Sequence, residues 1–410
     1  GLAAKRRGAA SPSCSTAASA GSPPAAQSIG QGWPRLSTEA AVCGLLENSA
    51  ELVQPWREGA FQYVRRLQEA ERNKGSVDLM RCKGFDAAVK RMPSSWTRGS
   101  AAGFDEKYPT STEKPWMDIA IVTHLNDIGY PYVCGMLGVF EDATHTYVAS
   151  SLATEGDLFA WCDRGGVPRP RAGSPERERA VRPLAAQVFQ AVRWLHELGI
   201  SHRDLSLENI LLTQSAGEPG GLQVKIIDFG MATMQRFVRN EVRGKEAYFA
   251  PEMHVPHECM DTFLADSFAL GVVLFAMASQ DYPWTSTRPN KCGLFQYVSM
   301  FGLRRFLERR PLRNGGGEKL AEVFSGEFVE VIEGLLRKEP RGRMSLGESC
   351  LEGGSPKAEG ARQSVWATEW MKAGWAHDEA WATFAVRSPQ HQATKRWLPP
   401  SWSTLRLLGA

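Results

Sequence analysis

The sequence predicts an α+β fold of two lobes, a small β-rich lobe followed by a larger helical one. Short strand-like segments dominate from about 57 to 152, among them Asp86–Met92 and Thr146–Leu152. From about residue 157 onward, apolar residues recur with helical spacing, as in 180–198 and 328–338. Two parts of such different character predict two lobes with a cleft between them, which is a common place for a binding site.

The composition narrows the class of protein. The chain has 410 residues, 43% hydrophobic and 23% charged, which is typical of a globular protein with enough apolar material for a core. The net charge of +3 is small and the basic residues are spread out, so nucleic acid binding is not indicated. The eight cysteines form no CxxC pair and indicate reduced thiols of an intracellular protein. The longest apolar run, 268–278, is about half of what a membrane crossing needs, so we expect a buried helix there.

Residues 1–50 are predicted to form a low-complexity, disordered extension. Residues 1 to about 38 are rich in Ala, Ser, Gly and Pro, and no acidic residue precedes Glu39. Such a segment buries too little apolar surface to order itself. The same composition is typical of an organelle transit peptide, although the chain starts at Gly1 instead of Met. We expect a cytoplasmic location and leave organelle targeting open.

Residues 202–209 form a polar motif, HRDLSLEN, between a predicted amphipathic helix and the apolar run 210–212. Phosphoryl transfer requires a carboxylate that accepts the proton of the attacking hydroxyl, and a neutral oxygen ligand for magnesium nearby. Asp204 and Asn209 can supply these two groups. The motif therefore predicts a phosphoryl-transfer site.

A second motif lies 19 residues after Asn209, where the predicted strand 224–227 runs into Asp228-Phe229-Gly230. Magnesium prefers carboxylate oxygen together with substrate phosphate. We therefore predict that Asp228 binds the metal together with Asn209.

Two more motifs extend the pattern, Ala-Pro-Glu at 250–252 and DSFALG at 266–271. Together the four motifs resemble those of the eukaryotic protein kinase superfamily over residues 57 to 348, and serine/threonine specificity is favoured over tyrosine specificity. The resemblance implies ATP-dependent transfer of the γ-phosphate to Ser or Thr hydroxyls of a protein substrate, with Mg²⁺ as the metal. It also implies that Asp266 steadies the catalytic loop and that Arg343 pairs with Glu252 in the interior.

The resemblance further implies a bilobal kinase-like fold with a five-stranded antiparallel small lobe. The predicted kinase domain covers 57–348, with an N-lobe at 57–151, a hinge at 151–156 and a C-lobe at 157–348. A Trp-rich tail follows at 351–410. We expect this tail to pack against the main domain, and a partner-docking role is left open.

The resemblance also assigns the residues of the active site. In the segment AAVK, Lys90 would bind the α- and β-phosphates as a point charge. The catalytic residues would be Asp204, Lys90, Asn209, Arg203 and Lys245. The nucleotide-binding residues would be Lys90, Gly75, Val77, Ala88, Ser151, Ala153, Asp157, Leu212 and Asp228, and the metal ligands would be Asn209 and Asp228.

The predicted glycine-rich loop, AERNKGSV at 70–77, keeps only Gly75 and Val77 of the family pattern. Glycines in this loop let backbone N–H groups approach phosphate closely, and a side chain at Arg72 hinders that approach. Arg72 or Lys74 could contact phosphate instead. This departure supports an alternative function, a pseudokinase that serves as a scaffold or binding module with weakened ATP binding.

The helix-borne glutamate that pairs with the strand lysine in the family is also replaced. Alignment across a three-residue insertion within 126–129 places Asp118 at this position, and Asp is one methylene shorter than Glu. Glu113 is the competing candidate. The sequence leaves both open as the partner of Lys90, and the replacement of the glutamate also supports the pseudokinase alternative.

Two further departures lie near the catalytic Asp204. The family usually has Lys two residues after the catalytic Asp and Thr in the activation segment, whereas this chain has Ser206 and Lys245. We hypothesise that the two groups have exchanged places and that Lys245 projects toward Asp204. Thr233 and Tyr248 are the only phosphorylatable residues of the segment, so Glu241 is predicted to supply a permanent negative charge to Arg203.

Overall fold

A computed structural model of the chain describes residues 35–70, 75–163, 172–215, 221–313, 316–351 and 362–373. It confirms the predicted α+β fold, because strands dominate the N-terminal part of these residues and helices dominate the C-terminal part. The two parts are the small and the large lobe.

The small lobe is built on one sheet flanked by helices. Its strands are β1 (Val53–Pro55), β2 (Gln62–Ala70), β3 (Gly75–Cys82), β4 (Phe85–Pro93), β5 (Met136–Glu141) and β6 (His145–Ser151). Its helices are α1 (Arg35–Glu47), α2 (Ser94–Thr97), α3 (Ala101–Lys107) and α4 (Pro115–Asp127). The strand order is β1-β5-β6-β4-β3-β2. Alternation along β4 buries Ala87 and Val89 completely, so Lys90 points to the opposite face.

Two expectations for the start of the chain are wrong. The small-lobe sheet has six strands instead of five, because β1 adds to the β5 edge in parallel orientation. The predicted disorder of residues 1–50 fails for 35–50, which form α1 and a 3₁₀ turn, while 1–34 lie outside the described residues. Val42, Leu45 and Leu46 recur at helical spacing and pack into the core. This part of the segment therefore buries apolar surface, although its composition predicted too little burial for an ordered structure.

The large lobe is mainly helical. Its helices are α5 (Leu158–Asp163), α6 (Pro175–Glu197), α7 (Thr262–Ser279), α8 (Gly293–Phe301), α9 (Leu303–Arg309), α10 (Leu320–Val323), α11 (Gly326–Leu335) and α12 (Glu369–Lys372). Its short strands are β7 (Gly156–Asp157), β8 (Ile210–Gln214), β9 (Leu222–Ile226), β10 (Phe237–Arg239) and β11 (Cys259–Asp261). The long helix α6 begins where Ser174 Oγ accepts a hydrogen bond from the N–H of Arg177 (3.1 Å), with Pro175 at the first helical position.

Helix α7 forms the centre of the large lobe. All of its residues are buried, as expected for a helix that is apolar on every side. Of the described residues, only those of α7 form a helix long and apolar enough to cross a membrane, and its whole length is buried inside the protein. The prediction of a buried helix over 268–278 is confirmed.

A buried ion pair joins the end of the activation segment to the segment that follows α11. Arg343 Nη1 lies 2.6 Å from Glu252 Oε1, and Nη2 lies 2.8 Å from Oε2. The guanidinium also donates to the carbonyl oxygens of Leu264 (2.9 Å) and Lys338 (3.1 Å). Both charges are therefore paired and hydrogen-bonded, which is the condition for a buried ion pair to be tolerated, and the pairing implied by the resemblance is present.

The described part of the Trp-rich tail belongs to the core of the large lobe. Val365 and Trp370 are almost fully buried, and the Trp370 ring lies 5.3 Å from the ring of Phe328 on α11. Trp366 Nε1 donates to the carbonyl oxygen of Leu346 at 2.7 Å. Packing of the tail against the domain is confirmed for 362–373, and Trp375, Trp381, Trp397 and Trp402 lie outside the described residues.

Replacement of Trp370 by Ala should therefore destabilise the whole domain. We expect a loss of about 3–5 kcal/mol in the free energy of unfolding, because the change empties a buried site. Chemical denaturation would measure it, with Phe301→Ala as the control because Phe301 is 55% exposed. A loss below about 1 kcal/mol for Trp370→Ala would contradict the assignment of this segment to the core.

Candidate active site

The buried carboxylate of Asp266 on α7 holds the catalytic loop. Its Oδ2 accepts hydrogen bonds from the N–H of His202 (2.8 Å) and the hydroxyl of Ser201 (3.1 Å). Its Oδ1 accepts one from the N–H of Arg203 at 2.9 Å. Arg203 has a φ of 66°, a left-handed conformation that is costly for a residue with a Cβ. Asp266 thus fixes a strained backbone directly before Asp204.

Asn209 orients the carboxylate of Asp204. Its Nδ2 donates to the backbone oxygen of Asp204 at 2.7 Å and to Oδ2 of the same residue at 3.2 Å. Both side chains are buried. Because the amide nitrogen bonds to Asp204, the amide oxygen of Asn209 is the atom that can bind a metal.

The ammonium of Lys90 lies between two carboxylates. Its Nζ is 3.7 Å from Oδ2 of Asp118 on α4 and 4.0 Å from Oδ1 of Asp228. Burial opposes its charge, but the carboxylates of Asp228, Asp118 and Glu113 outweigh this effect and raise the pKa of Lys90 above its usual value. Lys90 is therefore a permanent cation. The structure pairs it with Asp118, and Glu113 contributes through its charge.

Asp118 also joins α4 to the segment that carries Asp228. Its Oδ1 accepts a hydrogen bond from the N–H of Phe229 at 2.8 Å. At the start of α4, the N–H of Lys114 donates to the carbonyl oxygen of Gly230 at 2.8 Å. The position of α4 thus determines the positions of both Lys90 partners.

The residues present fit a magnesium ion that arrives with a nucleotide. The N–H of Ile227 donates to the carbonyl oxygen of Asn209 at 3.1 Å, which brings the strand before Asp228 beside Asn209. Within the described ranges, no group of three or more His, Cys, Asp or Glu side chains could hold a metal by itself. Magnesium is usually held by one or two carboxylates together with substrate phosphates, and Asp228 with Asn209 matches that pattern.

The predicted phosphate-side residues lie on β3 and β4. Val77 is the cross-strand partner of Lys90, and Ala88 is the partner of Ser150. A Cβ at Gly75 would lie 2.1 Å from the carbonyl oxygen of Arg91, so only glycine fits there. The close approach of β3 and β4 therefore requires glycine at position 75, in addition to its predicted role at the nucleotide. Arg72 and Lys74 lie outside the described residues.

The remaining predicted nucleotide residues lie at the junction of the lobes. Ser151 ends β6 and Ala153 follows it, while Asp157 of β7 pairs with β8 next to Leu212. Asp157 Oδ1 accepts a hydrogen bond from the N–H of Ala160 at 2.6 Å. This carboxylate therefore caps α5, in addition to its predicted position at the ribose.

Lys245 of the activation segment and Ser206 of the catalytic loop are in direct contact. Lys245 Nζ donates to Ser206 Oγ at 2.7 Å and to Glu208 Oε2 at 3.0 Å. Burial opposes ionisation of Glu208, but Lys245 lowers the pKa of this carboxyl below its usual value. The ammonium of Lys245 thus bonds to two residues that closely follow Asp204 in the catalytic loop, and its predicted approach to Asp204 itself stays a prediction.

The activation segment is held in place by contacts along its length. Glu241 Oε2 accepts from Arg203 Nη1 at 2.7 Å and lies 3.0 Å from Arg243 Nη2. Strands β10 and β11 pair antiparallel, and Arg236 binds Asp261 at their base through Nε (2.9 Å) and Nη2 (2.6 Å). The predicted pairing of Glu241 with Arg203 is present.

Gly244 is a site residue that the sequence reasoning missed. It has a φ of 108°, and a Cβ there would lie 2.7 Å from the carbonyl oxygen of Arg203 and 3.3 Å from Oδ1 of Asp204. Glycine lets the activation segment approach the catalytic loop this closely. An isolated Gly between charged residues gave no signal in the sequence.

A buried histidine, His196, contacts the Asp266 carboxylate that holds the catalytic loop. His196 Nε2 lies 3.1 Å from Asp266 Oδ2, and Nδ1 lies 2.7 Å from Glu348 Oε1. Burial opposes its charge, but the hydrogen bonds to Asp266 and Glu348 raise the pKa of His196 to about 9. His196 and Glu348 are 152 residues apart, so no sequence spacing indicated this contact.

A family model described as protein kinase domain matches residues 100–353. This match covers more than half of the chain, and the chain therefore belongs to the protein kinase family.

Curated relatives fall in the same family at modest identity. A serine/threonine-protein kinase SBK1 from Danio rerio is 26% identical over 293 residues, which is 70% of this chain and 66% of that protein. A serine/threonine-protein kinase 36 from Mus musculus is 29% identical over 54% of this chain and 14% of that protein. A serine/threonine-protein kinase H1 homolog from Pinctada fucata is 29% identical over 56% of this chain and 49% of that protein. The match spans less than two thirds of each relative.

The protonation of His196 should make stability depend on alkaline pH. The pKa in the folded chain, about 9, lies above the usual 6.5, so the stabilisation is fully present below pH 6.5 and is lost as pH rises through 9. We expect the free energy of unfolding to fall over this range by on the order of 3 kcal/mol relative to His196→Gln. A ring titration followed by NMR that shows a midpoint near 6.5 would contradict this assignment.

Proposed function

We propose that the chain is an ATP-dependent serine/threonine protein kinase, which transfers the γ-phosphate of ATP to hydroxyl groups of a protein substrate. The observation that carries this proposal is the position of the Lys90 ammonium, 3.7 Å from Asp118 and 4.0 Å from Asp228. This arrangement brings the phosphate-binding cation, the helix α4 and the metal-binding carboxylate together in one site. The names of the three relatives above support the serine/threonine class.

Each residue of the site has a defined part in this reaction. Lys90 would bind the α- and β-phosphates, and Asp228 with the amide oxygen of Asn209 would hold Mg²⁺. When bound, the metal ion neutralises charge on the β- and γ-phosphates. Asp204, fixed by its hydrogen bond from Asn209, would accept the proton of the substrate hydroxyl.

Lys245 acts mainly as a positioning residue in this proposal. Its ammonium bonds to Ser206 and Glu208 beside the catalytic Asp204. These two bonds would tie the activation segment to the catalytic loop. The positive charge of Lys245 would also stabilise the transferring phosphoryl group without direct contact. Arg203 would act in the same indirect way, as the anchor of Glu241.

The pseudokinase alternative is less well supported. Lys90, Asp204, Asn209 and Asp228 are all present. The support from the structure is the position of the Lys90 ammonium near Asp228 (4.0 Å) and the hydrogen bond from Asn209 to Asp204 (2.7 Å). Two departures favoured this alternative. The altered glycine-rich loop lies mostly in 71–74, outside the described residues, and the aspartate that replaces the helix-borne glutamate, Asp118, lies 3.7 Å from the Lys90 ammonium.

The proposed function requires ATP and a protein substrate as partners. Because Val365, Trp370 and Met371 are packed into the core, a docking role of the tail would have to use its other residues. We retain the cytoplasm as the proposed location.

Labelled-phosphate transfer from ATP to a peptide library tests the proposal directly. We expect Asp204→Asn to lower kcat by about 100-fold or more, because the proton acceptor is lost, while nucleotide binding is kept. Ser and Thr should carry the label. Absence of transfer by the natural chain with either Mg²⁺ or Mn²⁺ would contradict the kinase activity, and label on Tyr would contradict the serine/threonine class.

The activation segment should work without phosphorylation, because Glu241 already occupies the guanidinium of Arg203. Phosphatase treatment of the purified chain should leave its turnover unchanged. Glu241→Gln should lower kcat by about tenfold, since it leaves the buried Arg203 charge without its carboxylate. The exposed Glu258 offers a matched control as Glu258→Gln. A large loss of activity after dephosphorylation would rule out this role of Glu241.

A further inference from the structure

We propose that residues 35–56, named here the N-terminal clamp, position helix α4 for catalysis. The clamp consists of α1, the turn after it and β1. It lies before the residues matched by the family model, 100–353, and before the predicted start of the domain at residue 57. The inference rests on the proposed function, since it assigns the clamp a part in the kinase reaction.

Helix α1 packs directly against α4. Val42 is 1% exposed and belongs to the same buried cluster as Ala120, Ile121 and Leu125 of α4. Leu46 packs against a second cluster, which includes Ile119 of the same helix. One helix of the clamp therefore covers α4 with side chains that enter two apolar clusters.

The other end of the clamp is anchored on the sheet. Val53 of β1 pairs with Val139 of β5 in parallel register. The N–H of Trp56 donates to the carbonyl oxygen of Glu141 at 2.8 Å, and the Trp56 ring stacks on Tyr147 with centroids 4.0 Å apart. Between the two ends, Ser49 Oγ accepts a hydrogen bond from the N–H of Ala101 at 2.9 Å, which ties the clamp to α3.

The position of α4 matters because this helix carries Asp118. This carboxylate pairs with Lys90 at 3.7 Å and accepts the N–H of Phe229 at 2.8 Å. An aspartate has one methylene less than the glutamate of the family, so a small displacement of α4 breaks both contacts. A shift of about 1 Å in a catalytic arrangement can cost about 100-fold in rate. The clamp covers the outside of α4 and prevents such a shift.

Val42→Ala in the full chain tests this role, with Cys43→Ala as the matched control because Cys43 is exposed on the same helix. We expect Val42→Ala to lower kcat about tenfold, which corresponds to ~1.4 kcal/mol, with KM for the peptide little changed. Cys43→Ala and Val42→Ile should keep the natural kcat. The assay is run at a temperature at which circular dichroism shows each variant to be folded.

A double-mutant cycle separates positioning from general stability. If the clamp acts through Asp118, Val42→Ala should have little further effect on kcat in an Asp118→Asn chain, although both changes lower the melting temperature. An undiminished tenfold effect in the Asp118→Asn chain would overturn the proposal.

Hydrogen exchange gives a readout that does not require catalysis. Val42→Ala should accelerate exchange of the amides of 116–127 and of Phe229, whose N–H binds Asp118, and leave the amides of α7 unchanged. Equal acceleration in α7, or none in α4, would overturn the proposal. If the natural chain transfers no phosphate, the proposed kinase activity fails, whereas the exchange result still decides whether the clamp holds α4.

Discussion

The catalytic site depends on one buried carboxylate, that of Asp266. It accepts hydrogen bonds from the N–H groups of His202 and Arg203 and thereby holds the left-handed conformation of Arg203. Burial opposes its ionisation, but the hydrogen bond from His196 outweighs burial and lowers the pKa of Asp266 below its usual value. Loss of this charge would release the backbone that presents both Asp204 and Arg203.

Residues near the end of the kinase domain hold this carboxylate in place through His196. Glu348 binds the far side of His196, so the imidazolium lies between two carboxylates. Close by, Arg343 binds Glu252 and fixes the end of the activation segment. The catalytic loop and the activation segment are therefore both anchored on residues that follow α11, and only contacts far apart in the chain could bring these parts together.

In the small lobe, too, one carboxylate holds separate parts of the site together, here on the phosphate-binding side. Asp118 carries one end of the Lys90 pair and also binds the backbone of Phe229, so α4 couples the strand lysine to the metal-binding segment. The shorter acid leaves little tolerance in the position of the helix. The packing of α1 on α4 and the addition of β1 to the sheet are consistent with this demand. In the activation segment, Glu241 supplies charge to Arg203 without a modification.

The sequence by itself determined the class of fold and the reacting groups, because these depend on short contiguous motifs. The reacting groups lie within two short motifs, 202–209 and 228–230, so residue type and spacing were sufficient to assign them. The sequence could not choose between Asp118 and Glu113, since both precede the same run of apolar residues and only the placement of α4 decides. It also failed for α1, whose few apolar residues gain stability only against α4. The tertiary structure alone decided the partners of Lys245 and the contact between His196 and Glu348, because a side chain finds distant partners through packing and not through sequence spacing.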